Sequence, residues 1–387
     1  MSNFCILPFT SIEADPMGKC KVCCLSTKTI PDIDLKYNTL TEAFNSDYMR
    51  NLRSQFLKGE QPDECERCWA EEASGRTSKR MHSTIRLDKI IQDKIFKTET
   101  DGELIFLDLK LGNICNLKCR MCGSFSSSKW AQEEIDIHND NMTARENLEN
   151  GRWPRVSENF WKDLSELLSK TKYFEFTGGE PFLIDEHFDL LAKAIELGYS
   201  KDIEIHYNTN TTTFPKRGLE LWPHFKLVEI ALSIDDLGQR FEYQRYGAKW
   251  ESTLENLERF KKLRLENNNI KLQLCLTVNA FNVYYLDDMC KWIPKQKFNY
   301  VYFNVLHDAW YFSIKHLNQR AKDLVYEKYK NYVGPFADEI KNLMNFMNSG
   351  MNSDGSEFIK VTKQSDQQRN QKFSDHHPEM AAAIGYE

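Results

Sequence analysis

Three cysteines at the end of a strand-like run constrain this chain more than any other feature. The stretch Leu107-Asp-Leu-Lys-Leu-Gly-Asn-Ile-Cys115-Asn-Leu-Lys-Cys119-Arg-Met-Cys122 spaces them C-x3-C-x2-C, and no fourth cysteine follows before Cys275. Three thiolates on one short loop can hold three irons of a [4Fe–4S] cube and leave the fourth open, whereas a structural metal site is normally closed. The other cysteines also cluster. Six of the eleven lie in residues 5–68, and only Cys275 and Cys290 stand alone, in apolar or helical surroundings where they read as ordinary core residues. A disulfide framework belongs to small secreted domains. In 387 residues whose N-terminus lacks the basic-then-apolar build of a signal peptide, clustered cysteines read as metal ligands.

Composition narrows the partners. Hydrophobic residues make up 41%, with 24 Phe, 16 Tyr and 8 Trp, enough for one large domain and a smaller one. A net charge of −6 speaks against a general nucleic-acid-binding surface. No apolar run approaches the roughly 20 residues of a membrane span. The expectation is a soluble, cytoplasmic protein.

Residues 1–72 form the first unit. Cys5 is followed by twelve residues, Gly18, four more and Cys23; after a gap comes Cys65-Glu-Arg-Cys68. Asp15-Pro-Met-Gly18 is a turn signal that brings two cysteine arms together, and Thr41 to Leu57 has helical spacing. Residues 73–100, with seven Lys or Arg, read as a solvated linker. From 101 to 315 strand and helix patterns alternate. Strands are expected at Leu104–Lys110, Tyr173–Phe176, Ile203–Tyr207, Leu227–Ser233, Ile270–Val278 and Tyr300–Val305, which argues for parallel βαβ units. The insertion from Asn139 to Pro154 is polar and expected to be looped. Residues 316–387 would be a helix followed by a polar tail, part of which docks through Phe358 and Phe373.

The cysteine stretch resembles the signature of the radical SAM (S-adenosylmethionine) enzymes. That resemblance turns the alternating pattern into an expected α/β fold, a partial (β/α)6 barrel like the TIM barrel but incomplete. It implies that Cys115, Cys119 and Cys122 hold a [4Fe–4S] cluster whose open iron chelates SAM. Thr177-Gly178-Gly179-Glu180-Pro181, directly after the second expected strand, resembles the family motif that binds the SAM amino group. Asn208-Thr-Asn210 resembles the Thr-Asn element of relatives, and Ser233-Ile-Asp235 stands where a polar pair meets the SAM ribose. Arg245 is a candidate partner for the SAM carboxylate. One departure is Met121, where the family usually carries an aromatic residue. His206 and His307 are expected near the pocket mouth, each more simply read as a structural histidine.

The first unit resembles the auxiliary-cluster modules called SPASM or twitch domains, although those usually follow the barrel. On that resemblance Cys5, Cys23, Cys65 and Cys68 close one auxiliary [4Fe–4S] cluster, with Cys24 an alternative to Cys23 and Cys20 a spare. The expected function is therefore reductive cleavage of SAM to a 5′-deoxyadenosyl radical. The radical would take hydrogen from an unactivated C–H bond, in a two-electron oxidation or modification of a peptide, sugar or nucleotide. The partners would be that substrate and an electron donor such as flavodoxin or ferredoxin. A different class remains open: a non-catalytic, cysteine-rich zinc-binding interaction protein.

Overall fold

A computed structural model describes residues 3–91, 95–138, 140–351 and 353–386. Among them, eight strands form one sheet: β1 (Ser11–Ala14), β2 (Cys20–Lys21), β3 (Phe106–Leu109), β4 (Tyr173–Phe176), β5 (Glu204–Thr209), β6 (Leu227–Ser233), β7 (Ile270–Val278) and β8 (Tyr300–Val305). Their order is β2-β1-β3-β4-β5-β6-β7-β8; all neighbours are parallel except the edge pair β1–β2. Parallel strands lying in chain order, each reached through a helical crossover, build a partial barrel, and because β8 and β2 do not pair it stays open. The six strands expected from the sequence are β3 to β8. The other two come from the N-terminal unit, so the cysteine-rich segment shares the barrel's sheet. Their turn has Asp15 Oδ1 accepting from the amides of Met17 and Lys19 at 2.8 and 3.0 Å.

Alternation along each strand separates two environments. Leu107, Leu109, Phe174, Phe176, Ile205, Tyr207, Ile230, Leu272, Leu274 and Leu276 are buried on the outer face. The inner face is polar. Register places Glu13, Asp108, Glu175, His206 and Glu229 side by side on five adjacent strands. Neighbouring strands are about 4.8 Å apart, so this row of acids is self-repelling unless cations are supplied.

The helix Lys79–Ile91 supplies them, which corrects the solvated linker expected over residues 73–100. Lys79 Nζ lies 3.0 Å from both carboxylate oxygens of Glu175 and 3.4 Å from Asp108. Seven residues on, Arg86 bonds Glu229, and Lys110, the residue after β3, bonds Glu13. Segment charge alone suggested solvent because the acids that claim these cations are assembled only by strand register. Residues 92–94 lie outside the described residues. Lys79→Met is expected to cost about 3 kcal/mol or more by leaving buried carboxylates uncompensated. The deficit should shrink as pH falls, since protonated Asp108 and Glu175 need no counterion; urea unfolding at acid and alkaline pH would measure it.

Two further expectations change. The insertion at 139–154 is not a simple loop: the helix Met142–Asn150 forms, with Asn141 accepting from the Ala144 amide at 3.0 Å. The carbonyl of Gly151 then accepts from the Asn113 amide at 3.3 Å, packing the insertion on the cysteine stretch; residue 139 itself lies outside the described residues. The C-terminal helix is broken at Gly334-Pro335 into Gln319–Tyr329 and Ala337–Asn348. The tail adds the helices Ser356–Arg369 and Pro378–Ile384, with Phe358 and Phe373 buried as anchors.

Candidate active site

The cysteine loop leaves β3 at the carboxyl end of the sheet, where (β/α) folds carry their chemistry. The amides of Lys118 and Arg120 donate to the carbonyls of Tyr246 and Gln244 at 2.9 and 2.8 Å, and Trp130 Nε1 donates to the carbonyl of Cys119 at 2.8 Å. Arg120 is buried, with Nη2 2.6 Å from Asp366 of the tail and the guanidinium 3.6 Å above the Tyr243 ring. Asp366 also accepts from the Tyr243 hydroxyl (2.9 Å), the Tyr386 hydroxyl (2.6 Å) and the Phe373 amide (2.6 Å). Held this way, the three thiols face one another. Cys122 shares a hydrogen bond with Cys119 and pulls its thiol down, whereas burial pushes Cys115 up to about 12. Cys122 is exposed at the mouth.

The glycine pair docks directly on this loop. Gly178 has φ +81°, and a Cβ at Gly179 would stand 2.2 Å from the Ile114 carbonyl oxygen. Only glycine fits there. The Glu180 amide donates to that same carbonyl at 2.7 Å. Gly179→Ala is expected to cost about 2 kcal/mol through overpacking and to remove SAM binding, checked by thermal unfolding and equilibrium dialysis.

Other expected site residues converge here, with their side chains already engaged. The buried Glu180 carboxylate accepts from Thr209 Oγ1 and the Asn210 amide, each at 2.7 Å, so it fastens β5 rather than facing the mouth; burial raises it to about 7. Asn210 Nδ2 lies 3.9 Å from Cys115 Sγ and 2.9 Å from Asn116 Oδ1. Ser233 ends β6 on the inner face. Asp235 is fully buried in a two-point pair with Arg245, at 2.8 Å to Nε and 2.7 Å to Nη2, and the field of Cys119 and Cys122 reaches that guanidinium. His206 faces the barrel interior, 3.5 Å from Glu229, but His307 instead bonds Glu71 of the N-terminal unit at 3.1 Å.

The second cysteine set also assembles. Cys5, Cys23, Cys65 and Cys68 line one small cavity with Val22, Leu25, Phe56 and Arg80. The amides of Leu7, Leu25 and Arg80 hydrogen-bond to Cys5, Cys23 and Cys68. Cys24 points elsewhere, into the barrel, with Lys79 Nζ 3.1 Å from its sulfur. A mononuclear zinc holds its sulfurs about 3.8 Å apart. Among the described residues, the one trio of ligating atoms within 4.8 Å of one another is Cys24, Asp108 and Glu175, so both expected cysteine sets are spaced more widely. Four sulfurs around an apolar pocket, fed by amide donors, fit a larger cluster.

Below the cysteine loop lies a cavity of about 670 Å³ between the helix Lys79–Ile91 and the inner strands. Its walls include Lys79, Arg86, Glu175, His206, Cys275 and Tyr302. Cys275, expected in the core, is therefore a cavity residue. The readable signal for this chamber was the charged residues at alternate positions of otherwise apolar strands, together with cations seven apart at 79 and 86.

The fold and site define an open parallel barrel with a three-cysteine loop at its mouth. Residues 109–293 match the model of the Radical SAM superfamily. That matched stretch contains both the three-cysteine loop and the glycine pair docked on it. No curated protein sequence matches the chain. Solved structures similar to it include native anSMEcpe with bound AdoMet (18% identity, 59% of this chain and 61% of that one, TM-score 0.39). Another is Streptococcus suis SuiB bound to precursor peptide SuiA (15% identity, 73% and 59%, TM-score 0.37). The chain spans about three fifths of the length of these structures.

Proposed function

We propose that Cys115, Cys119 and Cys122 hold the SAM-cleaving cluster and that Cys5, Cys23, Cys65 and Cys68 hold an auxiliary [4Fe–4S] cluster. The observation that carries this reading is the docking of Gly178-Gly179 on the backbone that leads into Cys115. When bound, the cluster and SAM supply a 5′-deoxyadenosyl radical that removes hydrogen from an unactivated C–H bond. The chain's residues do the placing and shielding. Gly178 and Gly179 seat this turn on the backbone leading into Cys115, and their carbonyls would accept from the SAM amino group. Asp235 and Arg245 fix the loop edge next to the cysteines, where ribose and carboxylate groups would be met. Asn210 keeps β5 against Cys115. The cavity beneath, apolar with charged groups set into its walls, receives the substrate, and its volume suits a small molecule, a sugar or nucleotide, or a single side chain of a peptide. SuiB, a similar structure, was solved with a precursor peptide, which keeps a peptide in view. Cys5, Cys23, Cys65 and Cys68 would hold the auxiliary cluster, which would supply or accept single electrons, and a flavodoxin or ferredoxin would be the electron donor. Among the described residues no helix is long and apolar enough to cross a membrane.

The test is anaerobic reconstitution followed by incubation with SAM and reductant. About eight irons per chain and release of 5′-deoxyadenosine are expected. A colourless, zinc-loaded protein that ignores SAM would favour the zinc-binding alternative instead.

A further inference from the structure

The large cavity runs along the barrel and opens at the end away from the cysteines. Tyr173, Glu204 and Tyr300 on its wall are the first residues of β4, β5 and β8, and Lys226 immediately precedes β6. Asn208, Ala231 and Cys275 line it further along their strands. Asn208 stands two positions before Asn210, whose Nδ2 is 3.9 Å from Cys115 Sγ. From Glu204 to Asn208 is about 13 Å at the usual rise of a strand, longer than any side chain. The helix Lys79–Ile91 spans the interior behind the seam between β8 and β2. Its His82 ring stands edge-on to Tyr300 and Tyr302 of β8, while Lys79 reaches Asp108 of β3 and Glu175 of β4. Buried Arg76, three residues before that helix, bonds the Phe303 carbonyl of β8 and Glu339. At the amino end, by contrast, Ile85 is 58% and Tyr300 44% exposed, so the rim lies open.

Charge around that rim is uneven. Arg86, Lys89 and Lys226 face only Glu204 and Glu229, and both carboxylates are spent. Glu204 lies 2.9 Å from Lys226, and Glu229 bonds Arg86 and sits 3.5 Å from His206. Lys89 is exposed and pairs with no described acid. Register adds exposed Lys271 of β7 beside Glu229. A chain of net charge −6 therefore keeps an excess of cations around one opening. No glycine is among the wall residues, so no backbone cradle for a phosphate is built there. Single long cations beside exposed Ile85 and Tyr300 suit carboxylates spread along a chain that is partly apolar.

We propose that the substrate is the end of a peptide, about four residues of which enter through this amino-end rim while acidic residues behind them stay outside against Lys89, Lys226 and Lys271. This inference rests on the reading above that the cavity holds the substrate. It makes Lys89, Lys226 and Lys271 specificity residues that never meet the reacting atoms.

Cys275, on the cavity wall, reports on the route without any turnover. The reconstituted full-length protein is treated anaerobically with an anionic (sulfonatoethyl) or a cationic (trimethylammonioethyl) methanethiosulfonate, and labelling of Cys275 is followed by peptide mass spectrometry. Lys89→Glu combined with Lys226→Gln should lower the anionic-to-cationic rate ratio at least roughly threefold. Ile85→Trp, which narrows the rim, should slow both reagents. An unchanged ratio, or labelling indifferent to Ile85→Trp, would overturn the route. Protection of Cys275 then tests the occupant, using octapeptides with four apolar residues at one end and four aspartates or four lysines at the other. The aspartate pool should protect at least roughly threefold better than the lysine pool, and the rim variant should lose that difference. Equal protection by the two pools, absence of protection included, or stronger protection by nucleoside monophosphates overturns the acidic peptide. Absence of 5′-deoxyadenosine when the unmodified protein is given SAM and reductant would sink the radical reading instead, and the labelling results would stand apart from it.

Discussion

Replacing Cys115, Cys119 and Cys122 together by alanine is expected to abolish SAM cleavage and leave about four irons per chain after reconstitution. The loss should be complete because nothing else on the loop can take over a sulfur's place. Asn116 and Asn210, beside Cys115, are committed to each other and to Thr212. The converse variant, lacking Cys5, Cys23, Cys65 and Cys68, should also fall to about four irons but still release 5′-deoxyadenosine. Iron quantification alongside a 5′-deoxyadenosine assay separates the two sets. Equal iron in the triple variant and the unmodified protein would show that the barrel loop holds no cluster.

The second large effect is expected at a residue far along the chain from any cysteine. Asp366 gathers one buried guanidinium, two tyrosine hydroxyls and an amide. Asp366→Ala leaves the Arg120 charge buried without its carboxylate, a change that costs about 3–5 kcal/mol. Arg120 lies between Cys119 and Cys122, so the same variant should lose iron from the barrel loop before the rest of the protein unfolds. Chemical unfolding and iron retention under mild chelation would check both parts. An Asp366→Ala protein with unmodified stability would mean that the tail is ornamental to the loop.

What the sequence disclosed, and what it withheld, divides along one physical line. The strands β3 to β8 were legible because their outer faces bury Leu, Ile, Val and Phe at alternate positions, and that signal is local. The cysteine loop and Gly178-Gly179 were legible because glycine and cysteine carry chemistry that few other contexts require. The helix Lys79–Ile91 was not: its Lys79 and Arg86 look like solvated charges until register lines up Glu13, Asp108, Glu175 and Glu229 on separate strands. The choice between Cys23 and Cys24 was equally closed, since the two are neighbours in a turn after β2 and only the surroundings say which sulfur joins the other cysteines. Glu180 and Asp235 sit at the expected strand ends, but their carboxylates are spent on Asn210 and Arg245, a detail that spacing does not carry. His307 was placed by its strand and claimed by Glu71, which is 236 positions away.

The helix that neutralises the row of acids has a bearing on how portable this barrel is. Cut free of residues before 100, the strands would inherit a floor of like charges with only Lys110 to quiet them. A shortened chain should therefore collapse or aggregate instead of yielding a smaller enzyme. Any attempt to graft a different leading module onto these strands must bring its own two cations, spaced two helical turns apart.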